Sequence, residues 1–250
     1  MTDGLIIFIN DDAVSVNELF LNEEWKIEEL YKNIFTVSIG NVELEWLVKT
    51  YPKQSHAKKE MDNLEKLKKI EGVPKILASG HTKRFSYNMI SKVNARDLYE
   101  TIDEQGTMSE KEIRLIASQL LNILKQVHLY GIIHGDIKPE NIMYDRKNKK
   151  VTSIDFEDKF TDDYRSPEQI VEKRLTPKSD LWSIGIVLFF LKTKRIPFKG
   201  EREILTKRIK FPLRFSTEFK DFLSLLLERD IRRRLSIDEA LNHGWLVNEL

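Results

Sequence analysis

The apolar residues of this chain change their period once, close to Asp97, and that change limits the fold more than any other feature. Before it, "IEELY", "IFTVSI" and "VELEWLVKTY" carry the β-branched and aromatic residues of strands, with Gly40-Asn41 as a tight turn between the last two. "VPKILASG" and "FSYNMISKV" read as two more strands around a turn at His81–Arg84. One amphipathic helix interrupts them over residues 55–70, where Met61, Leu64, Leu67 and Ile70 recur at intervals of three. After Asp97 the pattern is helical. Ser109 and Glu112 form a capping pair before "IRLIASQLLNILKQVHLYG", which stops at Gly131, and Ser236 with Glu239 opens the last helix. The expectation is an α+β chain: a small β-sheet lobe with one helix over residues 25–93, then a larger, mainly helical lobe over 94–250. Residues 1–24 read as an N-terminal extension, in which Ser15 and Glu18 predict a short helix over "VNELFLNEEW".

Composition removes several function classes. Lysine and arginine (41) nearly balance aspartate and glutamate (40), so overall charge points to neither nucleic acid nor membrane. There is no cysteine, which excludes disulfides and thiolate metal sites and fits a reducing, intracellular location, cytoplasmic or nuclear. The apolar run Ile184–Leu191 is far shorter than the ~20 residues of a membrane span and predicts a buried helix. "DRKNKK" (145–150) is basic but has no aromatic residues among its charges, so it reads as a hairpin tip.

The chemistry concentrates in "IIHGDIKPENIMY" (132–144) and "SIDFE" (153–157). Transfer of a phosphoryl group needs metal ligands, a cation beside the phosphate, and a carboxylate that orients the attacking hydroxyl. Asp136 supplies the carboxylate. Asn141 and Asp155 offer hard oxygen ligands for magnesium, with manganese as the alternative ion, and Lys138 stands two residues from Asp136.

In order and spacing these stretches resemble the protein kinase family, serine/threonine branch, over roughly residues 25–247. "HGDIKPEN" is similar to the family's H-R-D-L-K-P-E-N with Gly135 in place of arginine, and "DFE" to its D-F-G. "SPE" (166–168), "SDLWSIG" and "DIRRRLSIDEALNHGWL" resemble later elements of the large lobe. The resemblance implies a bilobal kinase-like fold, ATP and Mg2+ as cofactors, and a protein substrate. It implies that Asp136, Lys138, Lys49 and Thr161 are catalytic, with Thr161 touching Asp136. It implies that Lys49 and Glu60 pair, and that Val37, Leu47, Ser91, Val93, Asp97 and Met143 surround the nucleotide. Asp180 would support the catalytic-loop backbone, His134 would pack under Phe156, and Arg234 would pair with Glu168.

Two departures shape the functional expectation. Leu30–Val37 falls where the family carries its glycine-rich loop, yet holds no glycine, and Leu47 replaces a small residue above the adenine. The segment from Asp155 to Glu168 has only 14 residues. That short segment, with no arginine before Asp136, predicts activity without activation-loop phosphorylation. Its acidic residues, Glu157, Asp158, Asp162 and Asp163, predict a basic residue near the phosphoacceptor. The rival readings are a pseudokinase scaffold and a small-molecule kinase of the aminoglycoside or choline type, whose loops also resemble "HGD" and "IDFE".

Overall fold

The computed structural model describes residues 6–9, 12–15, 25–39, 42–81, 83–157 and 160–248. They divide into two compact units: residues up to Lys69 together with Val73–Asn94, and Ile70–Gly72 together with Ala95 onward.

The first unit is an antiparallel sheet with one helix. Strands β3 (Trp25–Tyr31), β4 (Ile34–Ile39), β5 (Val42–Tyr51), β6 (Ile76–His81) and β7 (Ser86–Ser91) stand in the order β3-β4-β5-β7-β6. A separate hairpin of β1 (Ile6–Ile9) and β2 (Asp12–Ser15) lies alongside β6. Of the helix predicted over 16–25, Trp25 instead opens strand β3, while residues 16–24, like the Gly40-Asn41 turn, lie outside the described residues. Helix α1 (Gln54–Lys66) buries Ala57, Glu60 and Leu64. It stops a turn short of the expected residue 70. Leu67 and Ile70 are buried all the same, and Ile70 belongs to the second unit, so the apolar repeat outlasts the helix. One face of the sheet closes over Val37, Val48, Ala78, Tyr87 and Met89.

The second unit is α-helical around a small three-stranded sheet, β8 (Arg96–Asp97), β9 (Ile142–Asp145) and β10 (Lys150–Ser153). The stretch 145–150 is the β9–β10 hairpin tip, as its composition predicts; Asp145 Oδ1 accepts from the Asn148 N–H (3.0 Å). Helices α2 (Leu98–Gln105), α3 (Glu110–Leu129), α4 (Pro167–Val171), α5 (Pro177–Thr193), α6 (Gly200–Thr206), α7 (Thr217–Leu226), α8 (Ile237–Leu241) and α9 (Gly244–Val247) follow in order. Ser109 caps α3 through the Glu112 N–H, and Ser236 with Glu239 forms a full capping box on α8.

Helix α5 is the centre. All of Ile184–Leu191 is buried, each fully buried large apolar side chain contributing about 1.5–3 kcal/mol. No helix among the described residues is long and apolar enough to cross a membrane. The architecture is α+β, a small antiparallel sheet with a helix and a larger helical unit.

Candidate active site

The second unit holds the charged loop expected from the sequence, and the loop is anchored by α5. Asp180, buried at the start of that helix, accepts from the backbone N–H of His134 (3.1 Å) and of Gly135 (2.9 Å), one with each carboxylate oxygen. His128 from α3 also meets Asp180 Oδ2 (2.8 Å). Gly135 has φ 78°, in the left-handed region where a side chain is strained, so glycine suits the conformation that presents its N–H to Asp180.

His134 is a structural link. Its Nδ1 accepts from the Asp136 N–H (3.3 Å), which assigns the proton to Nε2, and Nε2 donates to the Ile154 carbonyl (3.0 Å). Its ring packs on Phe156 with centroids 4.7 Å apart. The loop of Asp136 is thereby tied to the strand end that carries Asp155.

Asp136 is 2% exposed and held on both oxygens. Oδ1 accepts from Thr161 Oγ1 (2.8 Å); Oδ2 accepts from Lys138 Nζ (2.8 Å) and Asn141 Nδ2 (3.0 Å). Lys138 also donates to Thr161 Oγ1 (2.9 Å), closing a triangle of lysine, threonine and carboxylate. Asn141 spends its amide N–H on Asp136, which turns its carbonyl oxygen into the atom a hard cation would use. The Ile154 N–H donates to the Asn141 carbonyl (3.0 Å), so Asp155 is one residue from a backbone bond to Asn141. Asp155 itself has φ 68°, an uncommon conformation for an aspartate and a mark of a constrained position. A carboxylate and an amide oxygen are the donor set magnesium prefers.

Asp97 and Met143 are directly opposed across β8 and β9. One Asp97 oxygen caps α2 by accepting from the Glu100 N–H (2.7 Å). Burial, outweighing that bond, holds the Asp97 carboxyl above its ordinary range.

Beyond the loop, Glu168 and Arg234 form a bidentate pair (2.8 and 2.9 Å), the arginine 0% and the glutamate 3% exposed by side chain. Burial pushes the Glu168 carboxyl up, but the Arg234 hydrogen bonds and charge outweigh it and leave it below its usual value. Ser179 donates to the same carboxylate (2.8 Å), and the guanidinium lies over the Trp182 ring.

The first unit holds a charged pair of its own. Lys49 Nζ meets Glu60 Oε1 at 3.0 Å, with both residues buried. Asn88, fully buried on β7, donates to Glu60 Oε2 (3.4 Å) and to the Ala57 carbonyl (3.0 Å), fastening α1 to the sheet. Sequence reasoning had no signal for Asn88 beyond a polar residue inside a strand.

Leu47, two residues before Lys49, shares its face of β5 and is paired with Thr36 and Ile90. Val37 is placed differently from expectation: it is 1% exposed in the cluster with Val48 and Met89. The β4–β5 register runs unbroken from Ile34 opposite Lys49 to Thr36 opposite Leu47, so Val37 alternates onto the other face, the one that carries Val48. The β3–β4 tip is a two-residue turn at Lys32-Asn33, where Asn33 takes the positive φ (66°) and its carbonyl accepts from the Thr50 N–H (2.8 Å). At the end of β7, Ser91 donates its N–H to the Lys75 carbonyl (2.9 Å). Val93 follows in the same unit, half-buried and outside any strand.

A buried loop carboxylate held by lysine, threonine and asparagine, and a buried lysine–glutamate pair on a sheet unit, define the protein kinase class of phosphotransferase folds. A sequence profile of the protein kinase domain matches residues 42–246, and the chain belongs to that family. Among curated proteins it is similar to mouse (Mus musculus) sperm motility kinase 2B, 32% identical over an alignment of 186 residues that covers 66% of this chain and 38% of the relative. Sperm motility kinase 3A of the same organism is 33% identical over 186 residues, 66% of this chain and 37% of the relative. The chain thus spans well under half the length of these relatives.

Proposed function

We propose that the chain is an ATP-dependent serine/threonine protein kinase that acts without phosphorylation of its activation segment. The observation that carries this reading is the Asp136 network. With Oδ1 on Thr161 and Oδ2 on Lys138 and Asn141, the carboxylate is fixed in orientation before any substrate arrives, which is how positioning lowers a barrier when little covalent chemistry is required. Asp136 orients the substrate hydroxyl and accepts its proton. Lys138 offsets negative charge beside it. Asn141 and Asp155 are the residues that would hold Mg2+ (or Mn2+), whose chemistry is to neutralise charge on the transferred phosphate. Lys49, kept in place by Glu60, would hold the α- and β-phosphates of ATP; Leu47, Ser91, Val93, Asp97 and Met143 would surround the rest of the nucleotide, with Thr36 replacing Val37 in that set.

The hydroxyls between Asp155 and Glu168 support independence from a phosphate switch. That segment has only Thr161, Tyr164 and Ser166. Thr161 is bonded to Asp136 and Lys138. Tyr164 packs half-buried against the cluster of Trp182, Ile186 and Phe198. Ser166 is 0% exposed and donates to Gln169. None of the three is presented for modification. A protein substrate with a basic residue near the phosphoacceptor, and a cytoplasmic or nuclear location, complete the proposal.

The test is transfer of radiolabelled γ-phosphate from ATP to histone, by wild type and by Asp136→Asn. Transfer should fall by roughly a hundredfold or more in the variant. A second reading, a non-catalytic scaffold, is favoured by the glycine-free β3–β4 tip, whose Lys32-Asn33 turn gives phosphates little backbone approach. Equal, background-level labelling by both proteins, with no thermal shift on adding ATP, would select the scaffold.

A further inference from the structure

The near-neutral total charge hides a strong local asymmetry. Residues 192–214 hold nine lysines and arginines against two acids, Glu201 and Glu203, in a chain whose totals are 41 and 40, so the remainder is net negative. The segment runs from the end of α5 through α6 to the start of α7, entirely within the second unit.

Its two ends form one surface. Arg214 donates to the Lys192 carbonyl (2.8 Å), fixing the 210–214 stretch against the C-terminus of α5. Phe211 and Phe215 pack on Phe189 of that helix, with centroids 6.5 and 5.8 Å away. Three of the cations are answered by carboxylates, Lys192 by Glu110 (3.9 Å), Lys194 by Asp103 (2.7 Å) and Lys207 by Glu203 (2.7 Å). Arg195, Arg208, Lys210 and Arg214 are exposed and have no carboxylate partner among the described residues. Between Lys210 and Arg214 stands Leu213, 97% exposed, the most exposed large apolar side chain described.

We propose that this surface docks a protein partner through an acidic segment that carries a large aliphatic side chain. Charge complementarity selects the acidic character. Leu213 selects a protein. Strand-binding nucleic-acid surfaces stack bases on exposed aromatic faces, and here the aromatic residues are turned inward while an aliphatic one is presented. A single leucine also covers little of the apolar area on which membrane-surface binding depends. A rim of unpaired cations around one apolar contact is the arrangement that speeds encounter and sets specificity at protein interfaces. Such a partner could be a substrate held away from the phosphoacceptor, in which case the inference deepens the kinase reading; the binding itself requires no nucleotide.

The experiment is fluorescence polarisation of the full chain without ATP. The probes are a labelled acidic peptide with a central leucine, the same peptide with serine at that place, and a single-stranded oligonucleotide of equal charge. Vesicles of phosphatidylserine and phosphatidylcholine are read in parallel by sedimentation. The leucine peptide should bind, weaken as salt rises, and lose about tenfold in affinity for Leu213→Ala. Arg195→Glu combined with Lys210→Glu should cost at least about tenfold. Tighter binding of the oligonucleotide or the vesicles, no preference for leucine over serine, or no binding of any probe would overturn the proposal. Circular dichroism checks that the exposed substitutions leave the fold intact. Because no phosphate transfer is read, failure of docking and failure of the kinase reading are separate results.

Discussion

Thr161 is the residue whose part in the site can be isolated most cleanly. Its hydroxyl donates to Asp136 Oδ1 and accepts from Lys138 Nζ, so it is a positioning residue acting through the carboxylate. Removing it leaves Asp136 with Lys138 and Asn141 on one oxygen only, and the carboxylate can rotate. In Thr161→Ala, kcat for peptide phosphorylation should fall about tenfold to a hundredfold while the KM for ATP changes little. Thr161→Ser keeps the hydroxyl and should recover most of the loss. An alanine variant with full kcat, or a serine variant as slow as alanine, would place the threonine outside the mechanism. At this scale the sequence is most legible in the catalytic loop: Asp136, Lys138 and Asn141 stand within six residues and meet, and Thr161 joins them where the resemblance implies. Val37 is the exception. Counting back from Lys49 gives its position but not its face: the register that sets Thr36 opposite Leu47 turns Val37 to the other side of the strand.

The element that sets this site apart is the short segment from Phe160 to Ser166, and the structure has a physical reason for its order. Asp163 Oδ1 accepts from the Gly200 N–H (3.0 Å) at the start of α6. Arg165, whose side chain is 14% exposed, reaches both Asp162 (2.9 Å) and Glu201 (2.8 Å), and Ser183 of α5 donates to the Tyr164 carbonyl (2.8 Å). These contacts fasten the segment to α5 and α6. Arg165→Gln together with Asp163→Asn should raise the KM for protein substrate several-fold. Phosphatase treatment of the wild type should leave its activity unchanged. Loss of wild-type activity on phosphatase treatment would show that a phosphate, not the carboxylate clamp, orders the segment. Only the Arg165–Asp162 contact of this clamp is local; Asp163 and Arg165 meet their other partners, Gly200 and Glu201, some 36 residues away, where sequence pattern carries no signal. The β1–β2 hairpin was equally opaque: two four-residue strands carry too little periodicity to be told from an irregular extension. Helix α1 was legible in kind but not in length, since Ile70 continues the apolar repeat for the benefit of the other unit.

For the molecule as a whole, the order of strands followed by helices was readable because each period persists over several elements, whereas the long-range ion pairs that fasten the helical unit were readable only through resemblance. Glu168 and Arg234 are the largest of these in consequence. The pair is buried and bidentate, and removing one partner would leave the other charge uncompensated, a loss of about 3–5 kcal/mol. Its pH dependence follows from the direction of the Glu168 shift. The folded-state carboxyl lies below its unfolded value, so its contribution to stability is fully present above the unfolded value of 4.5 and is lost as pH falls through the lower folded value. Asp97 works in the opposite sense: its carboxyl is held above the ordinary 3.8, so protonation in acid favours the folded state there. In urea titrations, wild-type stability should therefore fall below about pH 4.5 more gently than the glutamate alone would dictate. Asp97→Asn keeps a good helix cap, removes the opposing contribution, and should make the acid decline steeper. Glu168→Gln should lower stability at neutral pH and flatten the decline, because no carboxylate is left to protonate beside Arg234. A Glu168→Gln protein as stable as wild type at pH 7, or one with an unaltered acid decline, would mean that the helical unit is held by its apolar core around α5 and not by this pair.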